Sequence, residues 1–231
     1  MRKPRATANE KNVLLAFGNP TVGAKVTALH QIAPRSAPMD PLPDAEREVN
    51  ALQNLYGASA ARVYLGAAVR EDRAKAEATS YAILHFATHG VLDDASPLYS
   101  RLVLAQGDTN EDGMLEAWEI MRLNLQARLA VLSACETARG QIGTGERMIG
   151  LSWAFFIAGC PTTIASQWKV DSATTAKLML DFHRRLRGDR QKPPLSIAKA
   201  LQQSSLQLLQ QGGITSHPFF WAGFVAVGRG E

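Results

Sequence analysis

The sequence predicts an α/β fold in which helices cover both faces of a mainly parallel β-sheet. Short apolar runs, typical of fully buried strands, alternate along the chain with longer stretches whose apolar residues recur at helical spacing. The 231 residues, 46% of them hydrophobic and 20% charged, are enough for one sizeable core. No segment repeats at the periods of solenoid proteins. These features together predict strands joined by right-handed helical crossovers.

The first part of the chain contains five predicted elements. They are a strand at 12–20, a helix at 44–56, a strand at 61–65, a helix at 69–78, and a strand that begins at Tyr81 and is followed by His89. Asp44 is expected to cap the first helix, because its carboxylate can accept hydrogen bonds from the free N–H groups there. Gly57 is expected to end that helix. A Pro-rich loop at 34–43 separates the first strand from it.

The second part begins with a predicted hairpin and continues with alternating helices and strands. The expected elements are strands at 101–105 and 113–116, a helix at 116–123, a strand from Arg128 to Cys135, a helix at 146–158, a strand at 162–168, helices at 172–187 and 195–211, and an aromatic strand at 217–227. Asp171 and Ser172 are candidate caps for the helix that reaches Arg187. The pair Gly212-Gly213 ends the last helix.

Composition and charge argue against several classes of protein. The formal net charge is +4, and no dense Lys/Arg stripe with interleaved aromatic residues suggests nucleic-acid binding. The cluster of basic residues at 183–190 is interpreted as the C-terminal end of a helix. No apolar run reaches membrane-spanning length, so a membrane is not expected as a partner. Two cysteines without a secretory signal predict a reducing, cytoplasmic location.

The two most informative segments each end a buried strand with a reactive residue. One places His89 before Gly90, and the other ends at Cys135. Because chemistry in open α/β sheets collects beyond the carboxyl ends of the strands, these residues form a candidate thiol nucleophile and proton partner. His85 lies within its strand and is interpreted as a core histidine. A structural turn histidine at 89 and a small buried thiol at 135 are the alternatives.

Cys160 provides a contrast to Cys135. It stands in the turn Ala158-Gly-Cys-Pro161 between a helix and a strand, with no partner nearby in sequence. We therefore interpret Cys160 as a small buried hydrophobic residue.

The chain resembles the CHAT family of caspase-like cysteine peptidases, domains often found behind tetratricopeptide repeats. The segments that carry the resemblance occur in the family's order from about Asn12 to Gly228. They are His85-Phe-Ala-Thr-His89-Gly90, Pro97-Leu-Tyr-Ser-Arg-Leu-Val-Leu104, Leu132-Ser-Ala-Cys135-Glu-Thr137, Gly145-Glu146, Gly150-Leu151, Ala154-Phe155, Ala158-Gly159, Ser166-Gln-Trp168, Val170-Asp171, His217-Pro218 and Trp221-Ala222. Cys135 follows His89 by 46 positions, close to the spacing of about 50 residues in caspases.

The resemblance implies a caspase-like three-layer α/β/α sandwich and an acyl-transfer reaction. It assigns Cys135 as the nucleophile, His89 as the general acid/base, and the backbone amides of Gly90 and Cys135 as the oxyanion hole. A flexible segment at 1–11 would precede a CHAT domain at 12–231. The expected partners are a protein or peptide substrate and an upstream tetratricopeptide-repeat region or another regulatory partner. No cofactor or metal is expected.

Substrate specificity has candidate residues but no settled assignment. Trp168 follows a predicted strand and is either a wall of the substrate groove or a core aromatic. Asp93, Asp94, Glu136 and Asp171 lie near predicted strand ends and could make an acidic pocket for Arg or Lys in the substrate. Helix capping and solvated loop charge are the alternative roles, and capping is the expected role of Asp171.

Two rival hypotheses remain beside the peptidase. The first is a catalytically silent binding or scaffold module of the same fold. The second rests on the acidic loop at 108–119, which has Asp, Asn and Asp at positions 1, 3 and 5, Gly at 6 and Glu at 12, as a calcium loop requires. A predicted strand rather than a helix enters that loop, which departs from the calcium-binding pattern.

Overall fold

The computed structural model describes residues 12–23, 39–93, 95–107, 111–133 and 147–231. In these ranges the strands are β1 Leu14–Pro20, β2 Ala61–Gly66, β3 Ile83–Ala87, β4 His89–Val91, β5 Arg101–Val103, β6 Met114–Glu116, β7 Leu129–Leu132, β8 Thr162–Ser166 and β9 Phe224–Gly228. The α-helices are α1 Pro43–Tyr56, α2 Glu71–Glu77, α3 Ala117–Ile120, α4 Arg147–Ala158, α5 Ser172–Arg187 and α6 Ile197–Gln211.

The main sheet is mostly parallel, as the sequence predicts. Over the described residues it has six strands in the order β2-β1-β3-β7-β8-β9. Every neighbouring pair from β2 to β8 is parallel, and only β9 runs antiparallel, against β8. The parallel connections pass through helices, which is what buried strands of this kind require.

A second, smaller sheet lies beside the main one and is antiparallel. Its order is β4-β5-β6. The β5–β6 hairpin confirms the prediction from the sequence, with Leu102 opposite Leu115. Strand β4 is not predicted. It begins at His89, only two residues after β3 ends, so the chain leaves the main sheet and enters the small one at the candidate site.

Helices cover both faces of the main sheet, which confirms the three-layer sandwich. Alternating residues of β1 and β3 divide between two apolar clusters. Phe17 and Phe86 face the first cluster, to which α2, α3 and α4 contribute, and their rings stack with 5.3 Å between centroids. Leu14 and Ile83 face the second cluster, which α1, α5 and α6 complete. The period of two in each strand therefore places helices on both sides.

Two predicted element ends differ from the structure. Asp44 is not the cap of α1, since the helix begins at Pro43 and Leu42 precedes it without a side-chain cap. Proline presets the helical φ and lacks the N–H that a cap would satisfy, so it starts the helix one residue earlier. The last strand begins at Phe224 rather than at 217, because a 3₁₀ turn at Pro218–Phe220 comes first. The Phe219 amide donates to Nδ1 of His217 in that turn.

In the part of the chain that the structure describes, none of the helices combines the length and apolar character needed to cross a membrane.

Candidate active site

The candidate site lies where β3 and β7 end side by side. The strands are adjacent and parallel, and each β3 residue pairs with the residue 46 positions later in β7, as Ile83 does with Leu129. Cys135 also follows His89 by 46 positions in the sequence. Both chain segments therefore leave the sheet at one edge, and the sequence separation of the two residues equals the strand register. Cys135 itself lies outside the described residues.

The ring of His89 is fixed by the main chain of another segment. Its Nε2 donates a hydrogen bond to the backbone oxygen of Asp40, 2.9 Å away, and the side chain is buried. Because a carbonyl oxygen only accepts hydrogen bonds, Nε2 carries the proton.

Asn19, close to the end of β1, fixes the segment that holds His89. Asn19 has a positive φ of 48°, a left-handed conformation that asparagine tolerates better than most residues. Its side-chain oxygen accepts a hydrogen bond from the Leu42 amide at 2.7 Å, and its Nδ2 donates to Glu46 at 2.9 Å. Asn19 thus ties residues 39–42 to the end of β1, and Asp40 lies within that segment.

Gly90 lies in the small sheet, where it pairs with Leu102 of β5. The candidate residues predicted at this edge also include Asp94, Cys135 and Glu136, and these three lie outside the described residues.

Cys160 is fully buried, as predicted from its turn. Its Sγ donates to the backbone oxygen of Thr162 at 3.3 Å, within the apolar cluster that includes α4. A buried thiol in apolar surroundings is chemically inert compared with an exposed one. Cys160 is therefore a structural residue.

Trp168 is partly buried and lies two residues after the end of β8. Its Nε1 donates to the backbone oxygen of Phe219 at 2.9 Å, and its ring packs against the second apolar cluster. A Cβ on Gly223 would come within 2.9 Å of the ring, so glycine allows this close packing. Contacts with Phe219 and Gly223, which precede β9, thus fix the ring of Trp168, and part of the ring stays exposed.

The two described acidic candidates have local structural roles. Asp171 caps α5, with its carboxylate accepting hydrogen bonds from the amide and hydroxyl of Thr174 at 2.8 and 2.7 Å, as expected. The Asp93 carboxylate accepts from the amides of Ala95 and Ser96 at 3.0 and 2.9 Å, which closes a turn. Both carboxylates are therefore occupied by nearby main-chain groups.

A buried polar chain passes behind the strand ends, and it is a feature that sequence analysis missed. Ser133, the residue after β7, donates its hydroxyl to Glu48 Oε2 at 3.2 Å. Glu48 Oε1 lies 2.8 Å from His85 Nε2, although this contact lacks hydrogen-bond geometry. One sign of this buried chain was present in the sequence. Glu48 falls on the same helical face as Val49 and Leu52, which is the apolar face of α1.

The polar chain continues into α5 and returns to α1. His85 Nδ1 lies 3.2 Å from His183 Nε2, and His183 Nδ1 lies 3.0 Å from the Tyr56 hydroxyl. Burial, assisted by His85 and Arg128, holds the pKa of His183 well below its usual range. Burial also raises the pKa of Tyr56. His183 is therefore neutral and Tyr56 protonated at physiological pH.

The acidic loop considered for calcium contributes to a cluster already filled by an ammonium group. Lys75 Nζ lies 2.7 Å from Glu71 and 2.6 Å from both Glu111 and Glu119. Glu119 is position 12 of the loop, and its other oxygen accepts from the Glu116 amide at 2.9 Å. Both oxygens of the expected bidentate ligand are thus engaged, and the lysine supplies the charge that a cation would bring.

Similarity to known proteins agrees with the observed fold. The family model described as the CHAT domain matches residues 1–229. Among curated proteins, tetratricopeptide repeat protein 28 of Mus musculus is 24% identical over 223 residues, and the Homo sapiens protein of the same name is 26% identical over 220 residues. Both matches include 81% of this chain, which spans only 9% and 8% of the lengths of those relatives.

Two solved structures share the caspase-like architecture. The Saccharomyces cerevisiae separase in complex with securin superposes with a TM-score of 0.58 and 12% identity, covering 98% of this chain and 12% of the other. The Arg-specific cysteine proteinase gingipain R superposes with a TM-score of 0.57 and 10% identity, covering 97% of this chain and 48% of the other. At these identities the likeness concerns the fold.

Proposed function

Because the chain belongs to the CHAT domain family, we propose that it is a caspase-like cysteine endopeptidase domain with His89 and Cys135 as its catalytic dyad. The observation that carries this proposal is the fixed ring of His89 at the shared edge of β3 and β7. Its Nε2 donates to the Asp40 carbonyl, and Nδ1 is the ring nitrogen that we propose exchanges the proton with the thiol and the leaving amine. Paired residues of β3 and β7 are 46 positions apart, and so are His89 and Cys135. This equality supports a position for Cys135 beside His89.

The proposed reaction is acyl transfer to the thiol followed by hydrolysis. The Cys135 thiol gives its proton to His89 while its sulfur attacks the peptide carbonyl carbon, and the backbone amides of Gly90 and Cys135 stabilise the developing oxyanion. His89 delivers that proton to the leaving amine as the C–N bond breaks. Water then attacks the thioester and gives up a proton to His89. His89 passes this proton to the Cys135 sulfur as the C–S bond breaks, which releases the carboxylic acid and restores the thiol.

Trp168 is proposed to border the substrate groove, because it lies at the end of the strand next to β7 and stays partly exposed. An acidic pocket for a basic substrate residue would rely mainly on Asp94 and Glu136, since Asp93 is engaged in a turn and Asp171 in a helix cap. Cleavage after Arg or Lys is the specificity that this set favours.

The domain is proposed to work within a longer protein. Its curated relatives are named for tetratricopeptide repeats, and it spans less than a tenth of their length. We propose that such a repeat region, or a partner bound to it, regulates the peptidase, and that the protein acts in the reducing cytoplasm, where the Cys135 thiol stays free.

The test is a peptide-library cleavage profile measured with the wild type and with Cys135→Ala, His89→Ala and Cys160→Ala. We expect turnover by the wild type and Cys160→Ala, and none by the other two. A thiol-directed peptide probe should label Cys135 alone. Labelling that persists in Cys135→Ala contradicts the dyad. A wild type that neither turns over nor binds the probe, in the presence of repeat-region partners, supports the silent scaffold instead.

A further inference from the structure

The buried carboxylate of Glu48 links the two strands that lead to the proposed dyad. Glu48 lies on α1 and is 3% exposed. One of its oxygens accepts from Ser133, two positions before Cys135, and the other contacts His85, four positions before His89. A single side chain thus contacts β3 and the residue that follows β7.

Stability does not explain a carboxylate at this position. Among the described residues, neither lysine nor arginine forms an ion pair with Glu48, and Oε1 has no partner with hydrogen-bond geometry. A buried carboxyl group costs free energy of folding, and an oxygen without a hydrogen bond adds to that cost. Costly polar groups of this kind concentrate at functional sites.

Both oxygens of Glu48 contact the strand segments that lead to the proposed dyad. The Ser133 hydroxyl donates to Oε2 at 3.2 Å. His85 Nε2 lies 2.8 Å from Oε1, and Nδ1 of the same ring lies 3.2 Å from His183 Nε2. Glu48 is therefore the side chain through which the end of β7 and the middle of β3 both contact α1.

We propose that Glu48 is a positioning residue for the dyad, holding Ser133 and His85 so that the segments carrying Cys135 and His89 leave the sheet at a fixed separation. This inference rests on the proposed function. Glu48 does not contact the reacting atoms in this scheme. It acts through Ser133 at the end of β7 and through His85 in β3.

The variants for the test are Glu48→Gln, Ser133→Ala and the control Ser204→Ala. Glutamine keeps the size of Glu48 but can accept at only one of its two terminal atoms. The side-chain volume is unchanged, so we expect a thermal unfolding midpoint within about 3 °C of the wild type. Ser204 on α6 has a buried hydroxyl without a hydrogen-bond partner, unlike Ser133. This makes Ser204→Ala a control for removing a buried polar group.

Two readouts separate this inference from the peptidase proposal. The first is kcat and KM on the best library peptide, where we expect Glu48→Gln and Ser133→Ala to lower kcat by about tenfold or more with little change in KM. The second is the rate at which iodoacetamide alkylates Cys135, followed by mass spectrometry, which needs no turnover. We expect altered rates in both variants and the wild-type rate in Ser204→Ala.

Each outcome of these measurements supports or contradicts the positioning role of Glu48. Wild-type kcat and alkylation in Glu48→Gln overturn the positioning role, as does a loss of activity that only follows a loss of thermal stability. If the wild type has no turnover, the peptidase proposal fails, and the alkylation rates alone test whether Glu48 positions the thiol. If Glu48→Gln does not fold, Ser133→Ala supplies the same comparison without altering the buried charge.

Discussion

The imidazole of His85 contacts that of His183 in the second apolar cluster, with 3.2 Å between Nδ1 and Nε2 and an angle of 63° between the rings. His85 belongs to β3 and His183 to α5, so the contact joins the central sheet to a covering helix. Neither ring has access to solvent. A positive charge on His183 would lie without solvent in the core, because burial lowers the pKa of this residue well below its usual range.

Acid should destabilise the fold through His183. Its pKa in the folded state is depressed by burial, whereas an unfolded histidine titrates near about 6.5. The neutral form therefore stabilises the fold above about pH 6.5, and this contribution is lost as pH falls further. We expect His183→Gln to have a flatter dependence of Tm on pH between about 7 and 5. Parallel curves for the variant and the wild type would contradict this role.

Removing the Tyr56 hydroxyl should cost a modest amount of stability. Tyr56→Phe keeps the buried ring and leaves His183 Nδ1 without its hydrogen-bond partner at 3.0 Å. The expected loss in the free energy of unfolding is about 1–2 kcal/mol, measured by urea denaturation at pH 7.5. Tyr99→Phe, at an exposed position, is the control and should change little. An equal effect in the two variants would argue against the buried hydrogen bond.

Glu71 should favour the fold at lower pH, in the opposite direction to His183. Burial raises the pKa of Glu71 to about 7, against the opposing effect of Lys75. Its protonated form stabilises the fold below the unfolded value of about 4.5, and this stabilisation is lost as pH rises through about 7. Glu71→Gln imitates the protonated carboxyl, so we expect a Tm about 2–4 °C above the wild type at pH 8.5. The difference should shrink toward pH 5, and a constant offset would contradict the assignment.

Lys75 should be more important for stability than an ordinary surface lysine. Its ammonium group compensates three carboxylates at 2.6–2.7 Å. Lys75→Met keeps most of the apolar stem and leaves those carboxylates to repel one another. We expect a loss of about 2–3 kcal/mol at pH 8, measured by chemical denaturation. Lys177→Met on α5 is a control at another lysine, and a similar loss there would contradict the special role of the cluster.

Calcium should neither bind nor stabilise the wild-type protein. Lys75 already lies among the carboxylates, including that of Glu119 at the last position of the acidic loop. We expect no heat in a calorimetric titration with millimolar calcium and the same Tm with calcium or with EDTA. A rise of several degrees with calcium would restore the hypothesis of a calcium-responsive domain.

Gly18 is a position where close packing leaves no room for a side chain. A Cβ there would lie 2.7 Å from Cγ2 of Val49 and 3.0 Å from the backbone oxygen of Ala45, both on α1. We expect Gly18→Ala to push α1 away from β1 at a cost of about 1–3 kcal/mol. Because α1 carries Glu48, activity should fall as well. Gly23→Ala, where a Cβ meets nothing within 4 Å, is the control.

The fold could largely be predicted from the sequence. The apolar runs of β3 and β7, the alternation of strands with helices, and the cap at Asp171 are local signals, and each is found in the structure. The incorrect predictions concern two element ends, where a neighbouring residue or turn changed the boundary. Pro43 started α1 before Asp44, and the turn at Pro218–Phe220 shortened the last strand.

The residues proposed for the site come from the sequence, whereas the contacts that support them come from the fold. His89 was proposed because it follows a buried strand and precedes glycine, and the ordered motifs added the family. Its bond to Asp40 involves a backbone oxygen 49 positions away, which leaves no trace in residue identities. Glu48 and His183 were missed because a charged or titratable residue within a helical pattern is usually on the solvent side.

The strands, the helices and the family can be recognised in the sequence, since these depend on hydrophobic period and on short ordered motifs. The folded chain was needed to show which ring nitrogen of His89 donates to a carbonyl, and that Glu48, His85, His183 and Tyr56 form one buried chain. These contacts join residues that are far apart along the chain. Hydrogen-bond direction and burial are set by groups that the fold brings together, as with His85 and His183, which are 98 positions apart.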